Sequence, residues 1–316
     1  MTGRSTRAIV VLGEALVDIV PDTQGRAQAL PGGSGLNTAL GLARLGHDVR
    51  FCGTLSSDVD GAQISAFMRA ERIDLALARL SARPCPMVFV TPGNGDALPA
   101  YDLRLAGSAL DDAPHIPETW RDHWRTDFAH VHATSFAATI GAPGAAALDL
   151  MARARPFAST SFDPNIRLAA LPDLAHTHAL IAARIAQANI VKASAEDLDA
   201  LAPLSEQGAL LRAWQALGPR LVVVTRGGLG ATAFFGDQMI EVPSPAVIVR
   251  DTVGAGDTFM AGLLAQMASE TRLGHNLQGD LRPEDVARWL AFGARAAAFC
   301  CMKTGCDPPH LDALAL

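Results

Sequence analysis

Short runs of branched apolar residues return along this chain with helix-patterned stretches between them, and that alternation restricts its architecture more than any other feature. Strands separated by helical crossovers belong to a mostly parallel sheet covered on both faces. The first run, AIVVLGEALVDIV at positions 8–20, is nearly continuous in such residues and reads as one central strand buried on both sides. DFAHVHATS, ASTSFDPNIR, ANIVKAS and LVVVTRGGLGATAFF supply further strands, the last as a pair joined by a glycine turn from Gly227 to Gly230. Helices fall between them. Leu36, Leu40, Ala43 and Leu45 recur at helical spacing after a double glycine, another helix opens near Ser194, a long one begins at Gly256, and Pro283 and Glu284 start the last. The runs Met87–Thr91 and Ala100–Leu105 flank a PGNGD turn and read as antiparallel partners. Such a hairpin fits poorly inside a parallel sheet, so it is placed outside the main layer as a flap. No internal repeat or low-complexity linker divides the chain. The expectation is a single α/β domain over 1–316, doubly wound around a mostly parallel sheet, with a small β appendage.

Charge and composition narrow the functions open to such a domain. The formal charge of −6 and the absence of any run of Lys or Arg argue against a nucleic-acid partner. No stretch reaches the roughly 20 apolar residues of a membrane span, and Glu14 and Asp18 interrupt the N-terminal run. A cytoplasmic protein without a membrane partner is expected. An odd cysteine count of 5 in a chain of 316 residues points to reduced, buried thiols rather than a disulfide framework.

The stretch RDTVGAGDTFMAG, positions 250–262, sets two aspartates beside bare backbone ahead of an apolar helix. Glycines at a helix start leave its first N–H groups open to an anion. A carboxylate there would repel a phosphate, so Asp257 either caps the helix or takes a proton from a hydroxyl that attacks phosphorus while the amides stabilise the transferring charge. The chain has neither G-x-x-x-x-G-K-[ST] nor a G-x-G-x-x-G after its first strand, which disfavours P-loop and dinucleotide enzymes. Asp18, late in the first strand, faces water or accepts hydrogen bonds from a polyol. Asn37, behind Gly32 and Gly33, suits either the opposite wall of a sugar pocket or an ordinary helix-start turn. Asn165 and Arg167 lie at a strand end, where open α/β sheets bind ligands, with Arg167 either reaching a ligand or simply standing on the surface. The turn after LVVV, Thr225 to Gly230, suits a nucleotide or an ordinary hairpin. His130, His132, His176, His178 and Asp60 are read as structural.

Taken together, PGGSGLNTALGLARLG and DTVGAGDTF resemble the ribokinase-like (PfkB) family of carbohydrate kinases, and the resemblance covers essentially the whole chain. It implies a doubly wound α/β domain with a small β-sheet lid, here formed by segments of about 21–31 and 86–109, and transfer of the γ-phosphoryl of ATP, with Mg²⁺, to a sugar hydroxyl. By the same resemblance Asp257 is the catalytic base, Gly254, Ala255 and Gly256 supply anion-hole amides, and Arg167 stands near the transferred phosphate. Asp18, Gly33, Asn37, Tyr101, Arg104 and Asn165 would hold the substrate; Lys192, Ser194, Thr225, Gly227 and Gly230 would line the nucleotide site. Asp251 and Val253 occupy positions that in many relatives help bind a monovalent cation such as K⁺. Where many relatives carry Asn-x-x-Glu near the Mg²⁺, this chain reads Ser194-Ala195-Glu196-Asp197, so Asp197 is the indirect Mg²⁺ candidate. FDPNIR and PAYDLRLAGSALDD look most like bacterial fructokinases. The runner-up is 2-keto-3-deoxygluconate kinase, whose acid substrate would want the guanidinium of Arg104. A non-catalytic sugar- or nucleotide-binding protein on the same fold is the rival from another class. Lid edges are compatible with a homodimer.

Overall fold

The computed structural model describes residues 7–21, 24–91, 100–116, 124–167, 171 and 173–314. Its strands in chain order are β1 (Ala8–Leu12), β2 (Leu16–Pro21), β3 (Ala27–Gly32), β4 (Val49–Cys52), β5 (Thr54–Ser56), β6 (Arg79–Ser81) and β7 (Met87–Thr91), then β8 (Ala100–Arg104), β9 (Phe128–Thr134), β10 (Ser159–Asp163), β11 (Ile190–Ser194), β12 (Leu221–Thr225), β13 (Ala231–Phe235) and β14 (Gln238–Val242). The main sheet has 8 strands in the order β14-β13-β12-β11-β10-β9-β1-β4. Pairing is parallel from β4 through β12 and antiparallel at β12/β13 and β13/β14.

Alternate residues of the central strands feed two separate cores. Ile9, Val11, Ile190 and Val223 point to one side, against Met260 and Leu264 of the helix Ala255–Ser269 and Trp289 of the helix Pro283–Cys301. Val10, Leu12, Val131, Phe162 and Val222 point to the other, against Leu150, Ile181 and Trp214. Burial on both faces explains why these strands are apolar throughout rather than alternating, and each fully buried side chain contributes about 1.5–3 kcal/mol. Among the described residues no helix is long and apolar enough to cross a membrane.

The run at 8–20 is not one strand. At Gly13 a β-carbon would stand 2.5 Å from the Cα of Gly35, so two backbones cross there in direct contact. The chain leaves the main sheet at Leu12, passes over the start of the helix Ser34–Arg44, and re-forms as β2 in a second sheet ordered β3-β2-β7-β8. Continuous hydrophobicity concealed the break because both halves are strands, each in a different sheet. The β7/β8 hairpin pairs antiparallel as expected, Val90 opposite Tyr101, and sits outside the main layer. Its PGNGD turn lies outside the described residues.

Candidate active site

The Ala255–Ser269 helix begins at Gly254, whose φ of 73° is left-handed and whose β-carbon would lie 2.2 Å from the Cys306 sulfur. Only glycine suits both demands. Ala255 N–H closes the turn onto the Thr252 carbonyl at 3.2 Å, and helical bonding starts with Thr258 N–H to the Gly254 carbonyl at 2.8 Å. The amides of Gly256 and Asp257 therefore precede the first helical bond, while that of Ala255 is committed to the turn. Asp251 holds the approach: its Oδ1 accepts from Val253 N–H at 3.0 Å and its Oδ2 from Gly305 N–H at 2.8 Å.

Asp257 is 7% exposed and does not cap its own helix. Ser34 Oγ donates to its Oδ1 at 2.6 Å, and Asn37 Nδ2 donates to its Oδ2 at 2.9 Å. The two glycine-rich segments, far apart in sequence, thus share one carboxylate. Ser34 is in turn fixed from behind, for its N–H donates to Glu14 Oε1 at 3.1 Å, while Glu14 Oε2 accepts from Ala137 N–H at 3.3 Å. Glu14 thereby serves the starts of two helices, Ser34–Arg44 and Ser135–Thr139, neither of which has a side-chain cap of its own. Burial pushes the Glu14 carboxyl up, against the pull of those amides.

Beside the helix head, Lys192 Nζ lies 2.9 Å from where a Gly256 β-carbon would be and donates to Asp163 Oδ2, also at 2.9 Å. Burial alone would pull the lysine down; the charges of Asp163, Asp197 and Asp257 outweigh it and keep Lys192 an ammonium. Asn165 follows with a left-handed φ of 41°, and Arg167 Nη1 donates to the Ile166 carbonyl at 2.8 Å. Ser194 and Asp197 form a capping box, with Ser194 N–H and Oγ both donating to Asp197 Oδ2. Asp197 Oδ1 accepts from Ile166 N–H at 2.6 Å. Its oxygens are filled by protein donors, and among the described residues no His/Cys/Asp/Glu group forms a metal cage.

Thr225 and Gly227 are at the β12/β13 turn, partly or fully open to solvent, while Gly230 is buried where a β-carbon would meet the Val242 carbonyl at 2.0 Å. On the small sheet, Asp18 pairs opposite Leu30 and feels the charge of Asp257. Burial first, then Asp257, Glu14 and Asp251, push its carboxyl up to about 7. Gly33 leads directly into the helix that carries Ser34 and Asn37. Arg104 is spent on a neighbour, donating through Nε and Nη2 to Asp102 Oδ2, with its side chain 68% exposed. Tyr101 has a described backbone, but its side chain lies outside the described residues. His130 and His132 form a buried ladder with Ser159 and Ser161 at 2.7–2.8 Å.

The structure brings Asp257, Asn37, the glycine turn and Lys192 together and adds Ser34, Thr134, Glu14 and Asp163, which the sequence reading did not assign. A serine after two glycines gives no hint of a partner 223 positions away. Asp163, at the end of β10, likewise meets its partner Lys192 from 29 positions away.

A carboxylate clamped at an open helix head sets a proton acceptor beside an anion site, the pairing that phosphoryl transfer to a hydroxyl requires. The description "pfkB family carbohydrate kinase" matches residues 6–313, and the chain belongs to that family. It is an ATP-dependent carbohydrate kinase. A fructokinase of Rhizobium leguminosarum bv. trifolii is 36% identical over 270 residues, 84% of this chain and 81% of the relative. A fructokinase of Klebsiella pneumoniae is 31% identical over 265 residues, covering 83% and 84%. The fold superposes on the fructokinase of Xylella fastidiosa with bound ATP at a TM-score of 0.87, with 24% identity over 98% of each chain. It matches the Salmonella enterica aminoimidazole riboside kinase, complexed with its riboside and an ATP analog, at a TM-score of 0.81 and 24% identity, over 97% of this chain and 98% of that one.

Proposed function

We propose that this kinase is a fructokinase in which Asp257 is the catalytic base. The observation that carries the reading is the shared carboxylate: Asp257, at the head of the Ala255–Ser269 helix, is held by Ser34 and Asn37 from the other glycine motif. Asp18 and Asn37 hold sugar hydroxyls from opposite walls, with Gly33 permitting close approach and Asn165 completing the pocket. The hydroxyl oxygen attacks the γ-phosphorus, the bond to the ADP oxygen breaks, and the hydroxyl proton passes to Asp257. Gly254 and Gly256 receive the transferring phosphoryl charge through backbone amides, and Lys192 and Arg167 supply positive charge beside it. Thr225, Gly227, Gly230 and Ser194 border the nucleotide. Positioning of the reactants contributes on the order of 7–11 kcal/mol and the base about 10²–10⁴ in rate.

Mg²⁺, bound with ATP, offsets charge on the phosphate oxygens. Asp197, already filled by three donors, fits an ion held through water and phosphate rather than directly. The oxygen-rich turn at Asp251 and Val253 suits K⁺, to be tested by exchanging potassium for choline in the assay. The small sheet acts as a lid, and pairing of two copies through it is tested by sedimentation.

The deciding experiment is a coupled ADP-release assay with fructose, 2-keto-3-deoxygluconate, ribose, tagatose and adenosine. Selective turnover of fructose supports the proposal; selective turnover of the keto acid replaces it and makes Arg104 a specificity residue. No turnover of any acceptor, with sugar or nucleotide still bound, would favour a non-catalytic binding protein.

A further inference from the structure

We infer that Thr134 and Ser34 form a hydroxyl relay that fixes the reacting carboxylate of Asp257, making both of them positioning residues for phosphoryl transfer. The inference rests on the assignment of Asp257 as base and extends it to two residues with no contact to substrate assigned.

Ser34 Oγ stands 2.7 Å from Thr134 Oγ1 and 2.6 Å from Asp257 Oδ1. A serine hydroxyl has one proton, and an ionised carboxylate can only accept. That proton therefore goes to Asp257, and the Thr134 hydroxyl must turn its own proton towards Ser34. The direction of the chain is fixed: Thr134 to Ser34 to Asp257. All of it is enclosed, with Thr134 0%, Ser34 3% and Asp257 7% exposed, so water does not compete for these bonds. In such surroundings successive hydrogen bonds polarise one another.

The three residues come from three elements. Thr134 ends β9, Ser34 opens the helix Ser34–Arg44, and Asp257 lies in the first turn of the helix Ala255–Ser269. The Ser34 backbone is further pinned through its N–H to Glu14, and its hydroxyl is held by its own two bonds, to Thr134 and to Asp257. With Ser34 on Oδ1 and Asn37 on Oδ2, rotation of the Asp257 carboxylate is arrested and its remaining lone pairs have defined directions. In-line transfer needs that: a base rotated away from the incoming hydroxyl loses the benefit of positioning.

The test compares Thr134→Val, which keeps shape and removes the hydroxyl, with Thr134→Ser, which keeps the hydroxyl, alongside Ser34→Ala, the double variant Ser34→Ala/Thr134→Val, and Asp257→Asn. Each is assayed with ATP, Mg²⁺ and the preferred sugar, and melted thermally to match folded fractions. The relay predicts that kcat falls about tenfold in Ser34→Ala and several-fold in Thr134→Val, with KM for both substrates within about twofold of wild type. Thr134→Ser recovers the loss, and the double variant is no slower than Ser34→Ala alone, because Thr134 acts only through Ser34. If Asp257→Asn is inactive but Thr134→Val and Ser34→Ala match wild type, the relay is wrong and the base assignment stands. If Asp257→Asn turns over normally, the base assignment falls and the relay falls with it. Additive losses in the double variant, or equal losses in Thr134→Val and Thr134→Ser, overturn the relay and leave packing as the role of Thr134.

Discussion

Asp257 and Asp18 are carboxylates close enough for the charge of one to raise the other, yet the parts of the molecule that carry them treat them in opposite ways. Asp257 belongs to the main domain, where donors from Ser34 and Asn37 meet both its oxygens. Asp18 belongs to the small sheet, where its side chain accepts no hydrogen bond among the described residues and burial and like charges push it up to about 7. One carboxylate is already satisfied by the protein; under the proposed function the other is left for the sugar to satisfy. The proposed roles divide in the same way: a fixed base on the Ala255–Ser269 helix of the main domain, and an unsatisfied substrate anchor on the small sheet.

The sharpest way to break this comparison is Asp257→Asn. Loss of the base lowers kcat by about 10²–10⁴, with sugar binding retained when measured by calorimetry. A variant as fast as wild type ends the assignment.

Asp18→Asn acts on the other side. Charged hydrogen bonds contribute about 1.5–3 kcal/mol each, so KM for the sugar rises roughly 10- to 100-fold with a smaller change in kcat. An unchanged KM would show that the anchor lies elsewhere.

The same residue gives a pH signature. Its folded value is raised from 3.8 to about 7, so the native state holds the proton more tightly than the unfolded chain does. The resulting stabilisation is present below about pH 4 and is lost as pH climbs through about 7. Sugar KM should fall over the upper part of that range as the carboxylate ionises. Asp18→Asn should flatten this profile and raise the melting temperature at about pH 8 but little at about pH 4. A wild-type KM that does not vary across neutral pH would exclude this role.

The smallest effect is expected at Arg104. Its fork is already bound to Asp102 on an exposed surface, and such pairs contribute about 0–1 kcal/mol. Arg104→Ala should leave fructose KM within about twofold; a large rise would bring this residue into the acceptor site.

The comparison also shows what the sequence could disclose. The parallel sheet, the β7/β8 hairpin outside it and the glycine turn ahead of Asp257 were legible because each depends on local pattern: continuous apolar strands, a Gly/Asn/Asp turn, bare backbone before a helix. The split of the first run was hidden, since β1 and β2 are equally apolar and the cause of the break, the Gly13–Gly35 crossing, joins positions in separate elements. The clamp on Asp257 was hidden for a similar reason. Ser34 and Thr134 have no distinctive signature of their own; only folding sets their hydroxyls 2.7 Å apart. The resemblance makes Asp197 an indirect Mg²⁺ candidate, but the capping box that occupies it depends on side-chain directions that spacing alone does not settle.

The Gly13–Gly35 crossing also sets terms for anyone redesigning the acceptor specificity of this enzyme. A side chain at either position would have to occupy the other's backbone, so no one-residue replacement is open at either without moving its neighbour. Within the small sheet the tight position is Gly32, where a β-carbon would meet Asp18 Oδ2 at 2.0 Å. New acceptors should therefore be sought by rewriting the sheet while its junction is kept as two bare residues.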